Sequence, residues 1–461
     1  MPRSPYSERF YSGKYYREFE EDFEACYRYF YDSLRRRRSR SRSRHSHKYY
    51  KTYRRRKHDD YYYRHKSRSP IKHSYTRRSS SSSSSHRAHN RHRSSQRGST
   101  DTVVSRSAPP VDSDGHFQYQ KGDGVYHNRY VVRTQLGEGT FGRVLRCIDT
   151  ESKQEDSKSN VALKIIRRVK KYRTAAAYEV NVLNKLAEWD PHGEYGCVKL
   201  ISSFEWHGHA CLVFPLLGQS VFEVMRQRGY ISYTIREVRD IGAQLVRAVG
   251  FLHSHKLTHT DLKPENMLFV GPYRPDSSEI KLIDFGSTTF DHEHHTRIVS
   301  TRHYRSPEVI LEAGWSQSCD VWSIGAILYE LWKGRTLFQT HANRTHLAMM
   351  AIVLGRRFPK RLIDISKKQK YFRSNGDVIW NDDSDDHHRV KNSCTSLSPR
   401  LIDPLSPTLH EEESLIDLII HMLDLDPETH SRIVSADDID SCDVFSYWFK
   451  AVDVLIQLVV Q

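Results

Sequence analysis

The sequence predicts an α+β chain of two lobes, a small β-rich one followed by a larger helical one, with a basic tail that has no core ahead of them. Three observations predict it. Short alternating or apolar runs come first, at Tyr130-Val131-Val132 and Val161-Ala162-Leu163-Lys164-Ile165-Ile166. Apolar residues at helical spacing follow, at Ile235, Val238, Ile241, Leu245, Val249 and Leu252. Charge is split between the parts: residues 1–129 carry 31 Lys and Arg against 13 Asp and Glu, leaving 41 against 43 of the 72 and 56 for residues 130–461.

The basic excess is therefore a property of residues 1–115, the predicted disordered tail. It holds Arg35-Arg36-Arg37-Arg38-Ser39-Arg40-Ser41-Arg42-Ser43-Arg44 and an unbroken serine run, Ser79 to Ser85. Such a composition buries no core. Arg/Ser dipeptides and basic clusters suit nuclear import, contact with RNA, or association with other Arg/Ser-rich proteins. Tyrosines such as Tyr49, Tyr50 and Tyr53 lie among the basic residues, where they could stack on single-stranded RNA. Seven scattered cysteines without a closely spaced pair fit a reducing compartment rather than a disulfide framework or a zinc site. No apolar run approaches the roughly 20 residues of a membrane span, so a soluble protein without membrane contact is expected.

The folded domain is expected over 116–449, with its small lobe over about 130–215, its large lobe over about 218–449, an insertion at about 356–413, and a short apolar tail at 450–461. The small lobe opens with strand, loop, strand across Leu136-Gly137-Glu138-Gly139-Thr140-Phe141-Gly142-Arg143-Val144. Spaced glycines also mark dinucleotide folds and plain hairpins. Here they lie between strands and not ahead of a helix, and a valine follows, which favours a flap over the phosphates of ATP. Glycine allows backbone to approach phosphate oxygens closely.

The next strand carries Ala162 and Lys164, and Lys164 is the candidate for pairing the α- and β-phosphates. Val180, Leu183 and Leu186 then recur at helix spacing, and Glu179 on that helix is the candidate to hold Lys164. The strand Ala210 to Leu217 leads to the connection between the lobes. There Phe214 would guard the back of the adenine pocket. Pro215 keeps the carbonyl that adenine needs and lacks only its N–H, and Leu217 would supply the N–H.

The long helix from Ile235 ends just before His259-Thr260-Asp261-Leu262-Lys263-Pro264-Glu265-Asn266, and Asp284-Phe285-Gly286 follows. This spacing describes a phosphoryl-transfer centre. Asp261 would orient a substrate hydroxyl and accept its proton, Lys263 would neutralise charge on the phosphate in flight, and Asn266 with Asp284 would hold the Mg2+ that accompanies ATP. Thr260 stands where an arginine commonly precedes the catalytic aspartate and binds a phosphate of the activation loop, so the loop is expected to be ordered without that switch. Asp291-His292-Glu293-His294-His295 within the loop has a competing reading as metal ligands. Glu308 in Ser306-Pro307-Glu308 is expected to pair with a buried arginine, for which Arg432 is the candidate. The stretch Asp320 to Tyr329 is apolar nearly all round, as in a buried helix whose polar residues need partners.

These motifs resemble those of the CDC-like, or LAMMER, kinases, a dual-specificity branch of the eukaryotic protein kinases. The resemblance runs from about residue 116 to 445. It rests most specifically on Leu257 to Asn266, Val299-Ser300-Thr301-Arg302-His303-Tyr304-Arg305 and Gly314-Trp315-Ser316-Gln317. Where the family reads Glu-His-Leu-Ala-Met-Met-Glu-Arg, this chain has Thr345-His346-Leu347-Ala348-Met349-Met350-Ala351-Ile352. The resemblance implies the bilobal eukaryotic protein kinase fold and a monomeric catalytic domain. It also implies a nuclear enzyme, in speckles and partly in the cytoplasm, that phosphorylates Arg/Ser-rich splicing factors and autophosphorylates on serine, threonine and tyrosine. A basic substrate needs acidic groups near the acceptor, and Glu265 and Glu223 are the candidates. The competing expectations are a proline-directed kinase and a catalytically inactive scaffold for splicing factors or RNA. The intact Lys164, Glu179, Asp261, Asn266 and Asp284 argue against the scaffold.

Overall fold

A computed structural model of the chain describes residues 111–152, 159–275, 278–340, 342–379, 390, 394, 396–398 and 401–430. The tail ahead of residue 111, Arg432 and the apolar residues 450–461 lie outside the described residues.

The small lobe is a six-stranded antiparallel sheet of β1 (Gly124–Val125), β2 (Tyr130–Gly139), β3 (Gly142–Asp149), β4 (Asn160–Ile166), β5 (Ser202–Trp206) and β6 (His209–Pro215), ordered β1-β2-β3-β4-β6-β5. Strand periodicity sorts its side chains. Leu145, Cys147, Val161, Leu163, Ile165, Cys211 and Val213 form a core with Phe117, Val125, Tyr130 and Val132. The alternate positions of β4 include Ala162 and Lys164. Helix α1 (Lys170–Trp189) packs on β4 and β6, burying Ala176, Val182, Leu183 and Leu186 along with Glu179.

Order begins earlier than the boundary read from sequence. Residues 111–115, assigned there to the tail, pack on this lobe: Val111 bridges Phe117, and Arg168 donates from its backbone N–H to the Gly115 carbonyl at 2.8 Å. The deciding residue is Phe117, 3% exposed and edge-on to Trp206, because its burial drags the preceding turn onto the sheet.

The large lobe is mainly helical: α2 (Val221–Gln227), α3 (Ile235–Ser254), α4 (Pro307–Leu311), α5 (Ser318–Lys333), α6 (Asn343–Leu354), α7 (Lys360–Ile365), α8 (Leu409–Met422) and α9 (Pro427–His430). Thr234 and Glu237 cap α3 reciprocally, as a Thr-x-x-Glu sequence does when the hydroxyl meets the N3 amide and the carboxylate meets the N-cap amide. Helix α5 is buried on nearly every side, and its polar residues have the partners that burial demands. Ser323 Oγ donates to the Tyr304 carbonyl at 2.8 Å, and Glu330 accepts from the Tyr304 hydroxyl at 2.6 Å and from Thr336 at 3.0 Å. Within the stretch 356–413, read from sequence as an interruption of the helical pattern, α7 forms and α8 already begins.

Two small antiparallel pairs shape the floor of the cleft: β7 (Leu257–Thr258) with β10 (Thr289–Phe290), and β8 (Met267–Phe269) with β9 (Ile280–Leu282). The segment 259–266 spans β7 to β8, and Asp284 lies two residues past β9. Short paired strands thus fix both ends of the loops that carry chemistry. The described cysteines are free thiols, and no helix of the described residues is long and apolar enough to cross a membrane.

Candidate active site

Lys164 is the centre of the upper half of the site. Its Nζ lies 2.8 and 2.9 Å from the two carboxylate oxygens of Glu179 on α1 and 3.1 Å from Asp284 Oδ1. Burial alone would drive the ammonium toward its neutral form. Asp284 and then Glu179 more than offset that, and Lys164 is held charged, above the usual lysine range. Lys164 in turn holds the Asp284 carboxyl below the usual carboxylate range.

Asp261 is the centre of the lower half. Lys263 Nζ donates to its Oδ2 at 2.5 Å, while the backbone N–H and hydroxyl of Thr301 donate to its Oδ1 at 3.0 and 2.7 Å. Asn266 Nδ2 donates to the Asp261 carbonyl at 2.9 Å, which turns its amide oxygen the other way. The oxygens of Asn266 and Asp284 are hard donors of the kind a divalent cation takes. The two residues are tied through backbone, since Ile283 donates to the Asn266 carbonyl at 2.9 Å.

The loop is hung from α5. Asp320, 1% exposed, accepts from the backbone N–H of His259 at 2.7 Å and of Thr260 at 2.9 Å, and its Oδ2 lies 3.1 Å from His253 Nε2. Thr260 has φ +69°, a left-handed conformation unfavourable for a β-branched residue, and its hydroxyl donates to the Ser287 carbonyl at 2.8 Å. Asp284 also lies at positive φ, 64°. Such strain persists where surroundings over-determine it, as Asp320 and the paired strands do here.

The glycine-rich hairpin completes the site. Gly137 pairs with Val144 and Gly139 with Gly142. A Cβ on Gly137 or Gly139 would meet nothing within 4 Å, whereas on Gly142 it would meet the Ile165 carbonyl at 2.1 Å. Two glycines therefore leave room for phosphate, and the third lets β3 approach β4. Leu136 and Phe141 are exposed at this hairpin. Across β4, Lys164 pairs with Val144 on one side and Leu212 on the other, and Ala162 pairs with Phe214. Pro215 pairs with Val161 at the end of β6, past the last β5 partner of that strand, so its missing N–H costs no ladder bond.

The protein kinase domain family matches residues 130–439. This chain belongs to the protein kinase family. The kinase is 47% identical over 339 residues to the mouse dual specificity protein kinase CLK2, covering 70% of this chain and 66% of that one. It is 46% identical over 352 residues to the Drosophila melanogaster serine/threonine-protein kinase Doa, covering 72% and 41%. A solved kinase domain superposes with a TM-score of 0.63 at 31% identity, covering 72% of this chain and all of that one. The family resemblance read from the motifs is thereby established: the kinase domain is of the CDC-like, LAMMER branch. The aligned part spans two thirds or less of these curated relatives.

Several sequence assignments acquire a more specific place in this kinase. Arg143 turns its guanidinium to Glu138, at 2.9 Å, and to the Phe117 carbonyl, at 2.7 Å, so it braces the hairpin. Arg167 does the same at the tip, donating to the carbonyls of Thr140 at 3.1 Å and Asp114 at 2.7 Å. Glu223 is the N3 residue of the α2 capping box, where Oε2 accepts from the Ser220 N–H at 3.0 Å. That bond spends part of its capacity on the helix start. Glu265 is exposed near the end of the catalytic loop. Glu308 is buried, with Oε1 3.5 Å from the Ser318 hydroxyl. Its proposed partner Arg432 lies outside the described residues.

The metal reading of residues 291–295 finds no support, because the side chains at issue are engaged elsewhere. Glu293 accepts from Tyr178, His295 stacks on Trp315, and Gln317 approaches Asp291 at 3.4 Å. Among the described residues no group of three metal-ligating side chains converges. Sequence reasoning missed three functional partners: Thr301 on Asp261, Asp320 under the loop, and Tyr178 on Glu293. Asp320 had a signal, a lone acid opening an apolar helix. The others lie 40 and 115 residues from their partners and carry none. In the altered LAMMER segment, Thr345 is buried while Ala351 and Ile352 reach solvent, so the absent Glu-Arg pair would have stood at the helix surface.

Proposed function

We propose that the chain is an ATP- and Mg2+-dependent dual-specificity protein kinase that phosphorylates Arg/Ser-rich proteins, splicing factors above all, in the nucleus. The observation that supports transfer is the Asp261 carboxylate, held by Lys263 at 2.5 Å and by Thr301, on a loop whose Asn266 side chain is tied to the Asp261 carbonyl. The acceptor hydroxyl would bond to phosphorus as the bond to the leaving diphosphate breaks, and its proton would pass to Asp261. Lys263 would offset charge on the moving phosphoryl group. Asp284 and Asn266 would hold Mg2+, which would screen the negative charge of the nucleotide.

The preference for basic substrates rests on exposed Glu265 beside Asp261, and on a tail that has the composition of the substrate. That tail would engage Arg/Ser-rich partners, and RNA through its Arg and Tyr residues, without adding atoms to the active site. The test is phosphorylation by the full chain of Arg/Ser peptides against Ser-Pro peptides, with phosphotyrosine read on the enzyme itself. Arg/Ser peptides should win, and Glu265→Gln should raise their KM about three- to fivefold. A preference for Ser-Pro would instead indicate a proline-directed kinase, and no transfer to either would indicate a scaffold.

A further inference from the structure

Tyr178 immediately precedes the glutamate that holds Lys164, yet it points elsewhere. It is 5% exposed, and its hydroxyl donates to Glu293 Oε2, 2.5 Å away, in the segment after β10. The same oxygen accepts the Phe290 N–H at 3.0 Å, and the Glu293 N–H returns to the Phe290 carbonyl at 3.0 Å. Seven residues along α1, on the same helical face, the Lys185 ammonium lies 4.4 Å from the centre of the Phe290 ring. Helix α1 is thus fastened at two points to one short stretch, Phe290 to Glu293.

That stretch does not float. Phe290 pairs with Leu257 and Thr289 with Thr258, and β7 runs directly into His259 and the catalytic loop. A continuous path therefore leads from Glu179, through α1, Tyr178, Glu293 and β10, to the segment that carries Asp261. A phenol donating to a carboxylate in a partly buried site is among the stronger hydrogen bonds, and truncating it leaves the other group with lost solvation.

We propose that the Tyr178–Glu293 pair is a latch that holds α1 in the position where Glu179 meets Lys164, with both as positioning residues for ATP. The latch does from within the chain what a loop phosphate would do by charge. It rests on the kinase reading of Lys164 and Glu179, so the unmutated full chain is assayed first: lack of phosphotransfer there would overturn that reading and not the latch.

The test is a double-mutant cycle in the full chain with Tyr178→Phe, Glu293→Ala and the pair, using KM for ATP and kcat on one peptide. Tyr178→Phe removes one oxygen and preserves the packing. Each single variant should lose about tenfold in kcat/KM for ATP, while KM for the peptide stays unchanged. The double variant should lose no more than Glu293→Ala alone, which also frees the Phe290 N–H. Glu293→Gln, which keeps an acceptor for Tyr178, should recover most of the loss. Backbone hydrogen exchange should quicken across Lys170–Trp189 in Tyr178→Phe and not in Glu293→Gln. Losses that multiply in the double variant, or wild-type kcat/KM in Tyr178→Phe, would overturn the latch. Hydrogen exchange reads the helix without catalysis, so it tests the latch even where activity is absent.

Discussion

Each half of the active site contains a lysine paired with a carboxylate, and the two lysines are held in opposite ways. Lys263 meets Asp261 two residues away on the same loop, whereas Lys164 meets Glu179 and Asp284, which lie 15 and 120 residues distant. The acceptor half is assembled by a short loop hung from one buried carboxylate. The nucleotide half exists only while a helix, a sheet and a loop keep their relative positions. The acceptor half thus joins its lysine to its aspartate within one loop, which Thr301 and Asp320 hold from 40 and 60 residues away, whereas the nucleotide half is tertiary throughout.

Variants of the nucleotide half sharpen this contrast most. Lys164→Met and Asp284→Asn each remove a charge aimed at the phosphates or their metal, and should lower kcat/KM for ATP on the order of 10³-fold. Circular dichroism should remain native, since neither side chain belongs to the hydrophobic core. Asp261→Asn, in the acceptor half, should cost about 10²-fold or more in kcat with ATP affinity nearly unchanged. Steady-state kinetics together with nucleotide titration separate the two halves. Equal losses of ATP affinity in Asp261→Asn and Lys164→Met would break the comparison.

A third variant tests what holds the acceptor half. Asp320→Asn replaces a buried anion that accepts from two backbone N–H groups and approaches His253. An amide offers one oxygen in place of two, so one backbone donor loses its partner. Urea unfolding should show a loss on the order of 2 kcal/mol, and kcat should fall further than ATP affinity. Unchanged stability would mean that the strained Thr260 backbone is held by β7 and the Ser287 contact alone.

What the sequence reveals follows the same division. The catalytic loop is legible because its functional residues lie within eight positions, and because the helix ahead of it carries a continuous apolar stripe. Lys164 and Glu179 are legible as types, since a lysine in an apolar strand and an acid on the next helix both need a reason to be there. The contacts that bring α1 to the activation segment are not legible, because a tyrosine at helix position 178 and a glutamate in a loop each have ordinary solvent-facing explanations until folding brings them together. The start of the domain was set too late for a related reason. Asp112 to Gly115 are polar and small, and they are held beside Phe117 by Arg143 of β3, 3.4 Å from Asp112, and by Arg167 just past β4, 2.7 Å from the Asp114 carbonyl.

The smallest effect expected is that of removing phosphate from the activation segment. Thr260 supplies no guanidinium, and two arginines of the segment are already engaged. Arg305 donates to the carbonyls of Val299 at 2.8 Å and Ser300 at 2.6 Å, and Arg302 to Asn343 at 2.8 Å. Two hydroxyls of the segment are engaged as well. Thr301 bonds Asp261, and Tyr304 is buried against Glu330, where burial and that carboxylate push its phenol far above the usual tyrosine range. A phosphate on Tyr304 would set like charges together without water, and one on Thr301 would face the catalytic aspartate. Phosphatase-treated enzyme, verified by mass spectrometry at Ser300, Thr301 and Tyr304, should keep its initial rate within about threefold, less than the loss of one charge-assisted hydrogen bond. A lag that disappears as one of these hydroxyls becomes modified would make the nucleotide half dependent on a switch after all. The same measurement on Tyr178→Phe ties the prediction to the latch, since a helix freed from Glu293 should be the one that gains from a phosphate.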